Sequence, residues 1–446
     1  MPIPAEHAHR YVYHFSHIEN LPGLLRYGFL SQNHPNFPKK HRSIAAASIQ
    51  GRRAHMAVPC GPGGHVHDYV PFYFGSTSPM LLSVVNAKNV DQFDILYFEL
   101  PIILAERADA VFTNASANTA TPPAFYSDPA DLAQLDWAAI DSLKWGNADD
   151  DFRHRRMAEL LVHHQLPITS AARCVVWNDS VKDRVAQIVK GAPFPPIELE
   201  SRYRRHWFVD FPNGKTSSLV QGPGEIAMNF AAACKQVEER AGEHTDTAQF
   251  KTLKRLRDAL RADFGCLPHT AELVGLNSAN GIHKHPVDVH TKEVVKKLLS
   301  LPEFQALDES AQILVEVAAH LHDIGKGPRS RWNGNGGLQK VDPNHPVGAM
   351  PMMVEILSEH VAKVSVASAR TLMKLVCYHD LVGDVLGRGR DEQQIVDVVD
   401  DDEELNMLFA LGKADATVLV EHWWDEQEAG ALYNRCLKAI EEASEA

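Results

Sequence analysis

The chain has 446 residues, of which 45% are hydrophobic and 23% charged, and its formal net charge is −13. These proportions are ordinary for globular protein and the length predicts two or three domains, while the lack of any apolar run of about 18 residues argues against a membrane span. The six cysteines form no CxxC pair and the N-terminus carries no secretory signal, so we expect a cytoplasmic protein with free thiols.

Charge is unevenly distributed along the chain. The negative total argues against broad nucleic-acid binding, because phosphate contacts need lysine and arginine. Residues 1–60, however, contain seven lysine and arginine residues against two glutamates. The positive charge of residues 1–60 therefore matters more than the negative net charge of the whole chain, and nucleic acid stays open as a partner of the N-terminal part.

Residues 1–209 predict an α+β domain. Runs rich in aromatic and β-favouring residues predict strands over residues 70–74, 95–100, 174–177 and 201–209. Residues 155–164 predict a short helix or a strand edge. Residues 113–127 form a turn-rich stretch that is long for a loop without a function.

The rest of the chain is predicted to be helical. Residues 210–270 are interpreted as a connector, with a helix-like stretch over residues 230–261. From residue 280 onward apolar residues recur at helical spacing, as in residues 294–299. The predicted plan is an α+β domain over residues 1–209, a partly helical connector over residues 210–270, and an all-α helical bundle over residues 271–446.

Three segments of the N-terminal half are distinctive in combination. Residues 13–21 place His14 in a strand ahead of a short helix, residues 66–74 form an unusual aromatic strand, and residues 155–162 present Glu159 among apolar neighbours. In this order they resemble the DarT family of DNA ADP-ribosyltransferases, toxins that attach ADP-ribose to bases in single-stranded DNA. The resemblance covers residues 10–209 and ends at an arginine-rich aromatic segment.

This resemblance implies NAD as co-substrate, single-stranded DNA as acceptor, and a set of site residues. Cleavage of the nicotinamide glycosidic bond builds positive charge on the ribose, so the site needs an anion, and Glu159 is the family's carboxylate. Glu159 would bind the ribose 2′-hydroxyl and assist deprotonation of the attacking base. Arg52, with Arg53 as the alternative, would hold NAD phosphate or orient the transition state. The expected cofactor-binding residues are His14 on the adenosine-side ribose, Asn20, and Tyr73 and Phe74 around the nicotinamide.

The turn-rich stretch over residues 113–127 is the expected place of contact with the acceptor base. An unpaired base can stack on aromatic side chains, and Phe125 and Tyr126 lie in this stretch. After the pair Phe112-Thr113 the sequence departs from the glycine-containing version found in the family. That departure leaves the target base open.

A metal site is predicted in the C-terminal half. His322 and Asp323 are adjacent at a predicted helix end and can ligate one cation, because imidazole suits transition metals and a carboxylate adds charge. His290 opens an earlier helix, with His285 as the alternative, and Asp415 lies in a later one. This H…HD…D pattern resembles the HD superfamily of metal-dependent phosphohydrolases, which implies a helical bundle and hydrolysis of a phosphate ester.

Two further elements resemble the two-metal branch of that superfamily. His345 and His379 each lie near a predicted helix start and would complete a second cation. The resemblance implies that Asp323 bridges the metals and that Lys326 contacts the phosphate. Paired cations about 3.5–4 Å apart would clamp that phosphate. The expected ions are one or two divalent cations, either manganese, iron, nickel, cobalt or zinc.

The sequence leaves the cooperation of the two halves open. The HD domain could remove the DNA mark or degrade an ADP-ribose product in a self-contained toxin system, or it could add to the damage by hydrolysing nucleotides or nucleic acid, as in phage defence. It could also sense a nucleotide and gate the transferase without hydrolysis. The alternative for the whole chain is a DNA-binding regulator with a non-catalytic N-terminal domain. Because such toxins usually have a macrodomain partner, a separate antitoxin is also open.

Overall fold

The computed structural model of the protein describes residues 2–44, 47–117, 122–142, 149–199, 220–241, 246–279, 285–419 and 424–444. The chain divides into two compact units, Met1–Gly222 and Pro223–Ala446. Within the described ranges, no helix combines the length and the apolar character that crossing a bilayer requires.

The first unit contains strands and short helices in alternation. Its described strands are β1 (Tyr11–His17), β2 (Phe29–Leu30), β3 (Tyr69–Tyr73), β4 (Ile95–Pro101), β5 (Ala110–Thr113), β6 (Phe125–Tyr126), β7 (Glu159–His163), β8 (Gln165–Leu166), β9 (Arg173–Val176) and β10 (Ile197–Leu199). Its described helices are α1 (Leu21–Tyr27), α2 (Ala47–His55), α3 (Pro79–Asn86), α4 (Trp137–Ile140), α5 (Asp150–Arg156) and α6 (Asp179–Val189).

The strands of the described residues form an eight-stranded sheet in the order β10-β9-β4-β1-β3-β7-β5-β6, and β2 pairs with β8 separately. Successive side chains of a strand point to opposite faces. On one face Phe72 and Leu160 lie in the larger core, and on the other Phe15 and Tyr97 pack with α3. Both faces of the sheet are therefore covered near its centre.

The sheet is weakly joined between β1 and β3. β1 pairs with β4 along its whole length, from Tyr11↔Pro101 to His17↔Ile95. It pairs with β3 at the single position Tyr13↔Tyr73. The two strands therefore part beyond this pair.

The observed strands agree with the predicted ones over residues 70–74, 95–100 and 174–177, with shifts of a residue at the ends. The predicted helix or strand edge over residues 155–164 resolves into the end of α5 and the start of β7, at Glu159. The strand predicted over residues 201–209 lies outside the described residues.

The second unit is helical in the part of the chain that the structure describes, apart from isolated β-bridges. Its helices are α7 (Pro223–Glu239), α8 (Leu253–Ala262), α9 (Pro268–Ala271), α10 (Val287–Ser300), α11 (Pro302–Gln305), α12 (Glu309–Leu321), α13 (His345–Gly348), α14 (Met350–Glu355), α15 (Val366–Cys377), α16 (Leu381–Arg388), α17 (Gln393–Val398), α18 (Asp402–Leu419) and α19 (Glu426–Ser444), with a π-helical turn at Ile356–His360. Helix α12 packs against α10, α15 and α18. These contacts place the predicted metal ligands on neighbouring elements.

The stretch predicted as a connector belongs largely to the helical unit. In α7 the residues Ile226, Phe230, Ala233 and Val237 are buried in the core of the second unit, at the spacing of one helix face. Helix α8 packs against α12. The predicted connector over residues 210–270 is therefore corrected: the division falls between Gly222 and Pro223, because the apolar stripe of α7 needs that core to be buried.

Candidate active site and candidate metal centre

A cleft of about 640 Å³ lies in the first unit where β1 and β3 part. Strand β1 contributes His14 and Ser16 to its wall, and β3 contributes Pro71 and Tyr73. The segment over residues 37–44, between β2 and α2, also lines it. Glu159 lines it as well, so the cleft brings together the three segments that the sequence singled out, residues 13–21, 66–74 and 155–162.

Glu159 lies at the wall of this cleft in a buried ion pair with Arg53. Its side chain is 1% exposed and that of Arg53 is 10% exposed. Nη1 of Arg53 donates to Oε1 of Glu159 at 2.9 Å, and Nη2 donates to Oε2 at 2.8 Å. Burial opposes the charge of Arg53, but the carboxylate of Glu159 outweighs it and raises the pKa of Arg53. Such a two-point contact fixes both the position and the plane of the carboxylate.

The arginine beside Glu159 is Arg53 and not Arg52. Both lie on α2, whose cleft-facing side carries Gln50 and Arg53 at a spacing of three residues, whereas Arg52 is exposed. Adjacent residues of a helix point in directions about 100° apart, so one of the two arginines must face away. Of the two arginines that the sequence left open, the structure therefore places Arg53 and not Arg52 at the carboxylate.

The Arg53 contact can be tested by stability. Arg53→Lys is expected to lower the free energy of unfolding by about 1.5–3 kcal/mol, because lysine cannot make the two-point contact and one buried carboxylate oxygen loses a charged hydrogen bond. Arg52→Lys is the matched control and should change it by less than about 0.5 kcal/mol. Urea unfolding of both variants measures this difference, and equal midpoints would contradict the structural role of Arg53.

His14 presents an acceptor nitrogen to the cleft. The carbonyl oxygen of Pro71 accepts a hydrogen bond from Nδ1 of His14 at 2.9 Å. Burial lowers the pKa of His14 to about 4, so the ring is neutral at pH 7. With the proton on Nδ1, Nε2 is an acceptor suited to a hydroxyl group.

Asn20 lines the cleft, but its side-chain amide makes hydrogen bonds to other residues of the protein. The main-chain N–H of Arg42 donates to Oδ1 of Asn20 at 2.9 Å, and Nδ2 of Asn20 donates to the carbonyl of Arg42 at 3.0 Å. Nδ2 also donates to Oγ of Ser16 at 3.1 Å. Asn20 therefore fixes the segment over residues 37–44 against β1.

The two predicted aromatic residues of β3 separate. Tyr73 lines the cleft, pairs in the sheet with Glu159, and stacks on Phe15 with ring centroids 6.0 Å apart. Phe74 is 3% exposed and lies in the core, edge-on to Trp137. Because consecutive residues alternate between the faces of a strand, the placement of Phe74 at the nicotinamide pocket is corrected.

Gln50 and His67 are among the cleft residues that were not predicted. Nε2 of His67 lies 3.1 Å from Oε1 of Gln50, so that ring nitrogen donates to the amide oxygen. Both residues line the cleft beside Arg53. The signal that would have found Gln50 is its helical spacing from Arg53.

The second unit holds a cluster of the six predicted metal ligands, His290, His322, Asp323, His345, His379 and Asp415. Nε2 of His290 lies 3.1 Å from Oδ1 of Asp415, and Nε2 of His322 lies 3.4 Å from Oδ2 of Asp323. On the other side, Nε2 of His345 lies 3.2 Å from Oδ1 of Asp323. Asp323 therefore turns one oxygen to each of two groups of ligand atoms.

Three of these histidines are held by carbonyl oxygens. Nδ1 of His322 donates to Ala319, Nδ1 of His345 donates to Asp342, and Nδ1 of His379 donates to Val376, each at 2.8 Å. This contact places a proton on Nδ1 and turns Nε2 into the cluster, as in metal-binding histidines. Nε2 of His345 and Nε2 of His379 face each other at 3.1 Å, so both nitrogens point into the same space beside Asp323.

The carboxylates give the cluster a negative character. Burial alone would lower the pKa of His322, but Asp323 and Asp415 raise it to about 9. Burial opposes the charge of Asp323, yet Lys326 and His322 hold its pKa well below the usual range. The cluster thus draws positive charge to itself.

Neighbouring residues show which alternatives belong to the cluster. Nζ of Lys326 lies 2.7 Å from Oδ2 of Asp323, so this lysine is part of it. His285 is 55% exposed and lies 4.0 Å from Glu293, which leaves His290 as the residue in the cluster. The neighbouring His320 packs towards Phe264 and is not among the ligand atoms of the cluster.

The first unit is similar to known proteins in sequence and in structure. Residues 13–209 match the family model described as ssDNA thymidine ADP-ribosyltransferase, DarT. A DNA ADP-ribosyl transferase of Thermus sp. (strain 2.9) is 37% identical over 186 residues, which cover 41% of this chain and 88% of that protein. One of Thermus aquaticus is 32% identical over 205 residues, which cover 44% and 88%. The solved structure of Thermus sp. 2.9 DarT in complex with ADP-ribosylated ssDNA has a TM-score of 0.42 and 33% identity, and the match covers 47% of this chain and 99% of that one.

Proposed function

The chain belongs, through residues 13–209, to the DarT family of DNA ADP-ribosyltransferases, and we propose that its first unit transfers ADP-ribose from NAD⁺ to a base of single-stranded DNA. The observation that carries the proposal is the buried carboxylate of Glu159, held by Arg53 at the wall of the cleft. Because the matching family model is described for thymidine, thymine is the acceptor we propose.

The chemistry needs the charge that Glu159 supplies. Transfer breaks the bond between C1′ of the ribose and the nicotinamide nitrogen, and forms a bond between C1′ and an atom of the base. Nicotinamide leaves with the electron pair of the broken bond, and the base loses a proton. Positive charge on the ribose in the transition state is stabilised by an anion already in place. Glu159 would also bind the ribose 2′-hydroxyl and accept the proton of the base.

The other cleft residues would orient the substrate. Arg53 fixes the carboxylate plane of Glu159, and Nε2 of His14 would accept a hydrogen bond from an adenosine-side ribose hydroxyl. Asn20 would act indirectly, by fixing the segment that carries Arg42. Tyr73 would flank the nicotinamide. Together these residues would hold C1′ beside the carboxylate, which is the main contribution of a positioned site.

The DNA side of the site is proposed at the stretch over residues 113–127. Phe125 and Tyr126 are half-buried in β6, and the ring of Tyr126 stacks on Phe112 at 5.5 Å. An unpaired base could stack on the part of these rings that stays exposed. Residues 118–121 of this stretch, and the arginine-rich segment over residues 204–208, lie outside the described residues.

The transferase proposal is tested by incubating the protein with NAD⁺ and two single-stranded oligonucleotides, one with thymine and one without it. Mass spectrometry should detect an ADP-ribose adduct on the first. An adduct on both would contradict the choice of base alone. No adduct on either, or on mixed-sequence DNA, would contradict DNA transfer.

We propose as a second function that the helical unit is an HD-type metal-dependent phosphohydrolase. The supporting observation is that Asp323 faces two ligand groups, one with His290, His322 and Asp415 and one with His345 and His379. Divalent cations bound there would polarise a phosphate ester and activate water. Lys326, already against Asp323, would carry positive charge to the phosphate.

The metal proposal is tested by elemental analysis of the purified protein before and after loading with manganese, nickel or zinc. We expect one or two ions per chain and hydrolysis of a nucleotide or ADP-ribose ester. A protein that holds no metal and consumes no NAD⁺ would instead support a DNA-binding regulator with inactive sites.

The relation between the two units is tested by the double variant His322→Ala, Asp323→Ala. If the adduct on DNA grows in this variant, the second unit opposes the first within one toxin system. If the variant forms the same amount of adduct as the wild type but no longer consumes added nucleotide, the second unit acts alongside the transferase. A separate antitoxin would be sought among proteins that remove the adduct.

A further inference from the structure

We propose that Thr113 is a positioning residue for the catalytic carboxylate, because its hydroxyl ties the first residue of β7, Glu159, to the loop over residues 114–117. The inference rests on the proposed transferase function of the first unit. It gives a role to the Phe112-Thr113 pair, after which the sequence departs from the family pattern.

The hydroxyl of Thr113 makes two hydrogen bonds of opposite sense. The main-chain N–H of Glu159 donates to Oγ1 of Thr113 at 3.1 Å, and Oγ1 donates to the carbonyl of Ala115 at 2.7 Å. The carbonyl of Glu159 lies at 3.5 Å and is the poorer acceptor for the one hydroxyl hydrogen. Thr113 thus joins the strand to the loop through a single atom.

The hydrogen bond from Glu159 to the hydroxyl of Thr113 stands where the pairing of β5 with β7 ends. The register of β5 with β7 runs from Ala110↔Val162 to Phe112↔Leu160. Thr113 and Glu159 are the next residues towards the cleft, where the side chain of Thr113 takes over. The first residue of β7 is therefore held by a hydroxyl, and any change of that hydroxyl acts directly on the catalytic residue.

The loop returns to the carboxylate. The main-chain N–H of Ala117 donates to Oε1 of Glu159 at 3.4 Å, the same oxygen that Nη1 of Arg53 contacts at 2.9 Å. The N–H of Ser116 donates to the carbonyl of His154 at 3.0 Å, which anchors the loop on its other side. Thr113 therefore fixes both the backbone of Glu159 and the loop that presents a donor to its carboxylate.

Thr113 acts through its neighbours and not on the substrate. Its side chain is 0% exposed, so it cannot touch NAD⁺ or a base. Removal of the hydroxyl should therefore leave NAD⁺ binding nearly intact and lower the rate of the chemical step, because the anion would no longer lie in a fixed place.

The test compares Thr113→Val, which keeps the shape and removes the hydroxyl, with Thr113→Ser, which keeps the hydroxyl. In Thr113→Val we expect kcat for DNA modification to fall about 10-fold, as for a lost buried hydrogen bond, with KM for NAD⁺ within about twofold. Thr113→Ser should recover most of kcat. Ala117→Pro, which removes the amide donor of the loop, should lower kcat in the same way without altering KM.

Several outcomes overturn the proposal. Wild-type kcat in Thr113→Val, equal losses in the valine and serine variants, or a rise of KM in place of a fall in kcat would each do so. If Thr113→Val does not fold, wild-type kcat in Ala117→Pro overturns it. Amide hydrogen exchange at Glu159 and Ala117, measured by NMR, should be faster in Thr113→Val than in the wild type, and unchanged exchange overturns the proposal. This measurement does not depend on activity. A wild type that modifies no DNA would contradict the transferase function, whereas the exchange rates would still test the role of Thr113.

Discussion

Replacing Glu159 with glutamine is expected to lower the rate of ADP-ribose transfer to DNA by roughly 10²–10³-fold. Glutamine keeps the size of the side chain and removes the negative charge, so the ribose cation loses its stabilising anion and the base loses its proton acceptor. The measurement is the single-turnover rate of adduct formation on a thymine-containing oligonucleotide, followed by mass spectrometry.

The matched control for this change is Glu19→Gln. Glu19 also lines the cleft, but it is 59% exposed and pairs with Arg42 at the surface. Because exposed ion pairs contribute at most about 1 kcal/mol, Glu19→Gln should slow transfer less than about fivefold. Equal effects of the two changes would show that general charge in the cleft, and not the anion at Glu159, sustains the reaction.

Asp323→Asn is expected to remove bound metal from both ligand groups of the second unit. Asp323 contributes one oxygen to each group, so its loss takes a charged ligand from both sites at once. We expect the metal content to fall close to zero and hydrolysis of the phosphate ester to stop. Elemental analysis after loading with excess manganese or nickel, followed by desalting, measures the change.

Two further variants separate the shared ligand from the others. His345→Ala should lose about half of the metal that the wild type binds, since His345 belongs to one group. His285→Ala should keep all of it, because His285 is exposed and faces Glu293. A wild-type metal content in Asp323→Asn would contradict the assignment of a shared ligand.

Much of the first unit could be predicted from its sequence, because its motifs lie on continuous elements. The family resemblance is confirmed by the match over residues 13–209, and the strands around His14 and Tyr73 form as expected. The choice between Arg52 and Arg53 could not be made from the sequence. It depends on how α2 is rotated about its axis, and the partner that fixes this rotation, Glu159, is more than 100 residues away.

Phe74 shows a different limit. Phe74 and its neighbour Tyr73 are both aromatic, so residue type alone could not show which of them lies in the cleft and which in the core. The alternation of a strand separates them only once the cleft face is known.

In the second unit the resemblance to the HD superfamily singled out six histidines and aspartates, and the structure brings these residues together, while metal binding by them stays a prediction. The HD activity stays a prediction. The resemblance implied that Asp323 bridges two metals, but the sequence could not show which of its oxygens faces which group, since this depends on the rotation of one carboxylate between α10, α13 and α18. The sequence also did not show that α7 packs into the helical core, because the apolar stripe of an amphipathic helix does not specify the surface against which it packs.

Strands β1 and β3 share a single residue pair, so the sheet of the first unit consists of two half-sheets with few main-chain contacts between them. The cleft lies where these two strands separate. A dinucleotide seated there would cross-link the half-sheets, and by linkage would raise the stability of this unit by about 2.7 kcal/mol at a concentration about 100 times its Kd. The melting temperature of the first unit is thus expected to track the NAD⁺ level of the cell.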